Sequence, residues 1–422
     1  MPSRRELLGA VGAASLGVFT GCSLLGRVDG DWSFEDGGVG AAKSKPLSGE
    51  SWNPRQMSLP TVAVFTDTYL PTVNGVTYTV RTWRDRWAER GGRMDVVYPD
   101  SPDYDPDAGE YPVRGFDFPF YDGFRVGVPV VPDAVADADL VHAHTPFLLG
   151  LTGRYLSWRE DTPLVASYHT PTAEYADYLA SGRVADAIER VALGYETWYL
   201  NRVDAVVVPS GPAREHLQRV GVDAPVHVVP NGVDTEFFRP VETDGFREKH
   251  GLPDGPLVGY TGRHGFEKDL GTILDAVDGI DATVVFGGDG PARDHLESRA
   301  ADVDADVRFL GFLDREELPA FYSSLSAFTF PSPVETQGLV ALEANACGTP
   351  VVGVDSGALS DTVDDGETGY HFQPGDVRGF RDGIDRVLRD GRGLRERCLE
   401  RREAMSVEHA VDELAAVYDD VL

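Results

Sequence analysis

The sequence predicts an α/β protein built from two doubly wound parallel sheets facing one another across a cleft. Three observations carry that expectation. Short runs rich in Val, Ala and Phe recur at residues 61–65, 95–98, 139–143, 164–168, 204–209 and 226–230, with longer amphipathic stretches between them. Near-continuous apolarity over so short a length suits parallel strands buried on both faces and joined by crossover helices. A second series follows at 257–261, 283–287, 307–310, 327–331 and 350–354. Between the two series, the stretch from Pro230-Asn231-Gly232 to Pro240 interrupts the alternation with turn residues and prolines. The expected division is a leading segment 1–56, a first domain 57–240, a second domain 241–405 and a C-terminal helix 406–422. Ligands of such sheets bind beyond the carboxyl ends of the strands.

Composition bounds the rest. A chain of 422 residues is long enough for two or three domains with substantial cores. With 42 % hydrophobic and 25 % charged residues it is a folded globular protein, and no apolar run reaches membrane-spanning length. The 69 acidic against 38 basic side chains leave a formal charge of -31, a field that repels nucleic acid over most of the surface. Only four lysines occur, a balance resembling that of proteins adapted to salty cytoplasm. Cys22, Cys347 and Cys398 are too few and too scattered for a disulfide framework or a thiolate metal site.

The leading segment has a character of its own. Residues 3–22 carry paired arginines, a short Gly- and Ala-rich apolar run and then Thr20-Gly21-Cys22, the pattern of a twin-arginine export signal with Cys22 as the lipidated residue. Residues 23–56 read as a tether. Residues 1–56 hold six basic and six acidic side chains, so the whole negative charge lies beyond them. Two expectations follow: a lipid-anchored exported chain, or a native start near Met57, where charge and strand pattern both begin.

Several segments hold chemistry. Glu335-Thr336-Gln337-Gly338 precedes a helical pattern containing Glu343, so free backbone N–H groups at the helix start suit an anion. Glu343 is then either a solvated helix-face acid or a carboxylate gripping a vicinal diol. Arg263 and Lys268 stand five apart on a glycine-containing loop after a strand, either as solvated charges or as a metal-free clamp for a diphosphate. Gly287-Gly288-Asp289-Gly290 ends another strand, a weak signal because backbone geometry alone explains glycines there. In the first half, His142, His144 and His169 sit at strand ends, and Asn74-Gly75 reads either as a hairpin turn or as a loop feeding a helix. Pro71 favours the loop. The His142-x-His144 spacing lacks an evident third ligand, and no metal is assigned.

The Glu-x7-Glu pattern within Glu335-Thr336-Gln337-Gly338-Leu339-Val340-Ala341-Leu342-Glu343 resembles the donor motif of the retaining family 4 glycosyltransferases, over roughly residues 59–400. The resemblance implies the GT-B fold of two Rossmann-like domains and transfer of a hexosyl group from a nucleotide-diphosphate sugar to a lipid-linked or glycan hydroxyl. It implies no further cofactor. It places Glu343 on the ribose, Glu335 on sugar hydroxyls, and Arg263, Lys268 and the helix start at Gly338 on the phosphates. Gly75, Gly288 and Asp289 lie beside the donor, His169 at the reacting centre, and Asn74 with His144 on the acceptor side. Gln337 and Asn345 stand where Phe and Met are usual. A nucleotide-sugar epimerase of the same fold and an exported glycan-binding lipoprotein are the rival functions. The donor makes the cytoplasm the expected compartment, with the inner membrane face as a peripheral site. Residues 77–93, with Val80, Trp83 and Trp87 on one face and five arginines, read either as a packed crossover helix or as a surface helix meeting anionic lipid.

Overall fold

The computed structural model describes residues 59–72, 74–117, 125–169 and 183–422. The export-signal reading, Cys22 and the alternative start at Met57 lie outside the described residues. In the first half, strands β1 (Thr61–Phe65), β2 (Arg93–Pro99), β3 (Glu110–Val113), β6 (Leu140–Ala143), β7 (Leu164–Ser167), β8 (Ala205–Val208) and β9 (Val226–Val228) form a parallel sheet in the order β3-β2-β1-β6-β7-β8-β9. A small antiparallel pair, β4 (Gly115–Asp117) and β5 (Arg125–Gly127), stands beside it. The second half pairs β10 (Leu257–Thr261), β11 (Thr283–Gly287), β12 (Asp306–Gly311), β13 (Ala327–Phe330), β14 (Val351–Val354) and β15 (Gly369–Phe372) in the parallel order β12-β11-β10-β13-β14-β15. The helices of the first half are α1 (Gly75–Glu89), α2 (Leu148–Glu160), α3 (Arg183–Leu200) and α4 (Gly211–Arg219). Those that follow are α5 (Asp244–His250), α6 (Gly271–Val277), α7 (Arg293–Ala300), α8 (Leu318–Ser324), α9 (Leu339–Ala346), α10 (Leu359–Thr362), α11 (Val377–Glu400) and α12 (Val407–Val421). Among the described residues no helix is long and apolar enough to cross a membrane.

Both sheets contain the expected apolar runs, and the differences fall at edges. Strand β3 reads Glu-Tyr-Pro-Val; a strand at the sheet margin tolerates a proline without N–H, so composition concealed it. Strand β15 is the opposite margin of the second sheet, four residues long and polar at His371. Helix α1 ends at Glu89, short of Arg93, because Gly91 adopts a left-handed φ of 84° just past its end and Arg93 already starts β2.

Helix α1 also corrects the surface-helix expectation for residues 77–93. Trp83 and Trp87 are 1 % and 0 % exposed, so neither reaches an interface. Their indole nitrogens donate to the Asn231 carbonyl at 2.8 Å and the Pro60 carbonyl at 3.1 Å. The arginines hold neighbouring acids: Arg84 pairs with Glu110 at 2.9 Å, Arg86 with Glu408 at 2.7 Å, Arg90 with Asp412 at 2.6 Å and Arg93 with Asp95 at 2.8 Å. Two of those acids belong to α12, which leaves the second half and returns to the first. There Val407, Val411, Leu414 and Tyr418 join the core of the first sheet. Helix α1 is a crossover helix clamped under a C-terminal strap.

Trp83→Ala should therefore cost about 3 to 5 kcal/mol of stability in urea unfolding, as expected for an emptied aromatic core site. Arg81→Glu, at a side chain 57 % exposed, should stay within about 0.5 kcal/mol of the parent.

Candidate functional site

The chemistry collects where the two sets of strand ends meet. In the second half, β10, β11 and β13 release three loops carrying Arg263–Lys268, Gly288–Asp289 and Glu335–Gly338. The first two interlock. Gly288 has a φ of 100°, and a Cβ there would stand 2.0 Å from the Gly262 carbonyl oxygen, so only glycine fits. The His264 N–H donates to the Asp289 carbonyl at 2.8 Å and the Ala292 N–H to the His264 carbonyl at 2.8 Å. The Asp289 carboxylate points outward, 3.7 Å from Arg293.

Lys268 reaches the β13 loop and pairs with Glu335, Nζ to Oε1 2.6 Å. The Arg263 guanidinium turns to Glu267 instead. Both cations are thus close to carboxylates, and buried Tyr260 lies within the fields of Glu335, Glu267 and Arg263 together. Gly338 caps α9 with a left-handed φ of 77°; a Cβ there would press on Leu359 and Phe330 at 2.9 Å, again a place for glycine. Glu343, inside α9, is buried, which overturns the solvated-face reading. Tyr322 donates to its Oε2 at 2.6 Å, and burial outweighs that bond and nearby Arg315, pushing the carboxyl up to about 7.

The first half contributes a loop and a histidine cluster. The loop reading of Asn74-Gly75 holds: Asn74 Oδ1 accepts the Thr77 N–H at 2.9 Å as the cap of α1, and its Nδ2 donates to Thr68 at 2.8 Å. A Cβ on Gly75 would lie 3.6 Å from Leu339 in the first turn of α9, so the starts of α1 and α9 oppose each other. His144 Nδ1 and His169 Nε2 share a hydrogen bond of 2.8 Å with nearly parallel rings. The His142 ring lies tilted against that of His144, centroids 4.2 Å apart, and bonds Tyr418 at 2.7 Å and Ser167 at 2.8 Å. Burial is the leading cause that holds all three imidazoles neutral, His142 down to about 3, His169 to about 4 and His144 well below the ordinary range. Among the described residues no group of three or more His, Cys, Asp or Glu is arranged to hold a metal ion.

Several side chains around the candidate site were not legible in the chain. Asp67, just past β1, accepts from Thr145 Oγ1 at 2.6 Å and from the Leu149 N–H at 3.2 Å, locking the start of α2 beside His144. Burial lifts it to about 6. Tyr78 of α1 receives a bond from Arg315 at 3.2 Å, and the fields of both reach Glu343. The Glu335–Gly338 loop is tied across the halves three times: Thr336 Oγ1 donates to the His169 carbonyl, Ser210 Oγ donates to the Thr336 carbonyl at 2.8 Å, and the Asn231 N–H donates to Gln337 Oε1 at 2.9 Å. The run Thr66-Asp67-Thr68 after a strand was the one available signal for Asp67; the cross-half partners left none.

Comparison with known proteins settles the family. The model of Glycosyltransferase Family 4 matches residues 73–237 and that of Glycosyl transferases group 1 matches residues 242–405. A GDP-mannose-dependent alpha-mannosyltransferase of Mycolicibacterium smegmatis is 31 % identical over 76 % of this chain and 85 % of its own length. The chain belongs to the family 4 glycosyltransferases. Other relatives of this transferase are the alpha-monoglucosyldiacylglycerol synthase of Streptococcus pneumoniae, 27 % identical over 72 % of this chain and 73 % of that protein, and the sulfoquinovosyl transferase SQD2 of Arabidopsis thaliana, 30 % identical over 63 % of this chain. The chain spans about half, 53 %, of that last protein. Among solved structures, Anabaena HepE in complex with UDP-glucose superposes with a TM-score of 0.67 at 17 % identity, covering 85 % of this chain and 99 % of that one, which establishes the GT-B fold.

Glu343 gives the transferase a pH signature. Its carboxyl lies near 7 folded against 4.5 unfolded, so the folded state holds the extra proton between those values and this group's contribution to stability falls as pH rises through that window. A diol ligand of Glu343 would need the carboxylate, so affinity for the probe nucleotide UDP should rise as pH passes about 7. Titration calorimetry from acid to alkaline buffer should record that rise in the parent and lose it in Glu343→Gln; an identical profile in both would remove Glu343 from the nucleotide site.

Proposed function

We propose that this enzyme moves a hexosyl group from a nucleoside-diphosphate sugar to a lipid-linked or glycan hydroxyl, with retained anomeric configuration and in the cytoplasm. The observation that carries the reading is the meeting of Lys268, Glu335, buried Glu343 and the opposed starts of α1 and α9 at the strand ends of both sheets. Glu343 takes the ribose diol. Lys268, Arg263 and the first N–H groups of α9 receive the diphosphate, with Gly75 and Gly288 allowing backbone to come close and Asp289 at the rim. Arrival of the phosphates gives Lys268 a second anion, and Glu335 then turns toward sugar hydroxyls.

As the bond from the anomeric carbon to the phosphate oxygen breaks, negative charge grows on the diphosphate and the fixed cations and N–H groups stabilise it. The acceptor oxygen bonds the anomeric carbon from the leaving-group face, and its proton passes to the departing phosphate oxygen. Neutral His169, fixed by His144 and by the Thr336 bond to its carbonyl, positions the sugar without adding a positive charge near the oxocarbenium-like carbon. Asn74 and His144 face the acceptor. HepE, whose solved complex contains UDP-glucose, and the diacylglycerol-named relative support the donor and acceptor classes.

Lys268→Ala and Arg263→Ala should each lower kcat by about a hundredfold or more with a smaller change in KM, because the lost charge acts most strongly in the transition state. Proton NMR of the first-formed product, with UDP-glucose and GDP-mannose as trial donors and a diacylglycerol acceptor, should show the donor's anomeric configuration. An inverted product, or unchanged turnover in both variants, would overturn the assignment.

A further inference from the structure

Arg315 stands at the junction of the two halves, its charge held by rings rather than by an acid. It opens the short helical turn Arg315–Glu317 after β12, and its guanidinium carbon lies 4.6 Å from the Tyr78 ring centroid, 4.6 Å from that of Phe237 and 5.6 Å from that of Phe238. Tyr78 belongs to α1 in the first half, Phe237 and Phe238 to the segment that joins the halves. A guanidinium is flat, weakly hydrated and attracted by ring faces, so three rings together fix its place. The bond from Arg315 Nη2 to the Tyr78 hydroxyl at 3.2 Å fixes its orientation. Among the described residues no carboxylate lies within ion-pair distance of it. The cage adjoins Glu343. Phe238 packs edge to face on Tyr322, centroids 6.0 Å apart, and Tyr322 is the residue whose hydroxyl donates to Glu343 at 2.6 Å. Tyr322 on α8, Tyr78 on α1 and Cys347 at the end of α9 are the other titratable groups whose fields meet Glu343. Burial first, and Glu343 second, push both phenols above their ordinary range and the thiol up to about 12, so all three are neutral at pH 7. Arg315 is the one cation in the set.

We propose that Arg315 is a positioning residue for donor binding: its caged charge keeps the Glu343 carboxylate available to the ribose diol, and the cage is complete only while α1 lies against the second half. The role rests on the proposed placement of the ribose at Glu343. Burial favours a proton on that carboxyl, and a protonated carboxyl loses acceptor capacity that a diol needs. Tyr322 offsets part of this, yet its hydroxyl supplies one hydrogen to Oε2 and no charge. A fixed cation nearby favours the ionised form without itself being desolvated, since Arg315 is exposed. One wall of the cage comes from the first half, so separation of the halves would free the guanidinium. The ionisation of the ribose acid is thereby tied to the seating of α1.

Solvent screens an exposed guanidinium, so the expected effect is an ordered shift rather than a loss of binding. An opposite charge favours the ionised carboxyl, and removing it moves the rise in nucleotide affinity to higher pH. Titration calorimetry with UDP and with GDP, from acid to alkaline buffer, should place that rise about half a pH unit higher in Arg315→Gln than in the parent and about one unit higher in Arg315→Glu. Arg315→Lys, which keeps the charge, should stay close to the parent. Tyr78→Leu removes the first-half wall of the cage and should shift the rise in the same direction; it decides the case where an Arg315 variant fails to fold. A loss of affinity of equal size at every pH would make Arg315 a plain attractor of the anionic ligand and overturns the proposal. A lowered thermal melt with an unmoved rise makes it a brace for Phe237 and Phe238, and overturns it equally. If the rise persists in Glu343→Gln, or neither nucleotide binds, the donor reading itself falls and takes this role with it. A rise that is lost in Glu343→Gln yet fixed in position across the Arg315 series removes only the role of Arg315.

Discussion

The placement of the site depends on the pinning of one loop. Glu335–Gly338 belongs to the second half, yet Thr336 donates to the His169 carbonyl and Ser210 donates to the Thr336 carbonyl, while Gln337 accepts from the Asn231 N–H. These bonds bring that loop, the Lys268–Glu335 pair and the histidine cluster to one place. Each is worth only about 0.5 to 1.5 kcal/mol net, so they set register more than they supply cohesion. Cohesion comes from α12, whose apolar face is buried in the first core after the chain has finished the second.

This division of labour explains the two departures from the family pattern. Gln337 spends its carbonyl oxygen on the Asn231 N–H, beside the carbonyl of the same residue that receives Trp83. An apolar side chain at 337 would leave that buried N–H without its partner. Asn345 turns away from the cleft and donates to the Thr349 carbonyl at 2.9 Å and the Thr368 carbonyl at 3.2 Å, joining the end of α9 to the turn before β14 and the approach to β15. Both side chains therefore hold backbone around the two ends of α9.

The electrostatics of the cleft follow from burial. Desolvation disfavours charge of either sign, so it lifts Glu343 and Asp67 and depresses the three histidines at once. Lys268 and Arg263 sit farther out, where carboxylates balance them. In the proposed reading, a diphosphate entering the cleft would meet permanent cations at the rim and neutral, hydrogen-bonding groups deeper in. That gradient suits a leaving group whose charge develops near the rim.

The sequence by itself determined the two sheets, because strands buried on both faces must be apolar along their whole length and so announce themselves without a partner. It also marked Gly338 at the start of a helix, since a left-handed φ and close backbone contact restrict residue choice locally. Strands β3 and β15 escaped because sheet margins relax that demand, admitting Pro112 and His371. Residues 77–93 were ambiguous for a related reason: periodicity identifies an apolar face but not what covers it, and only packing against the first sheet and α12 decided that Trp83 and Trp87 are core. Asp67, Tyr322, Tyr418, Gln337 and the bond between His144 and His169 were decided by tertiary structure alone, because a hydrogen bond between residues far apart in the chain leaves no periodic trace, and burial of a polar side chain is set by what folds over it.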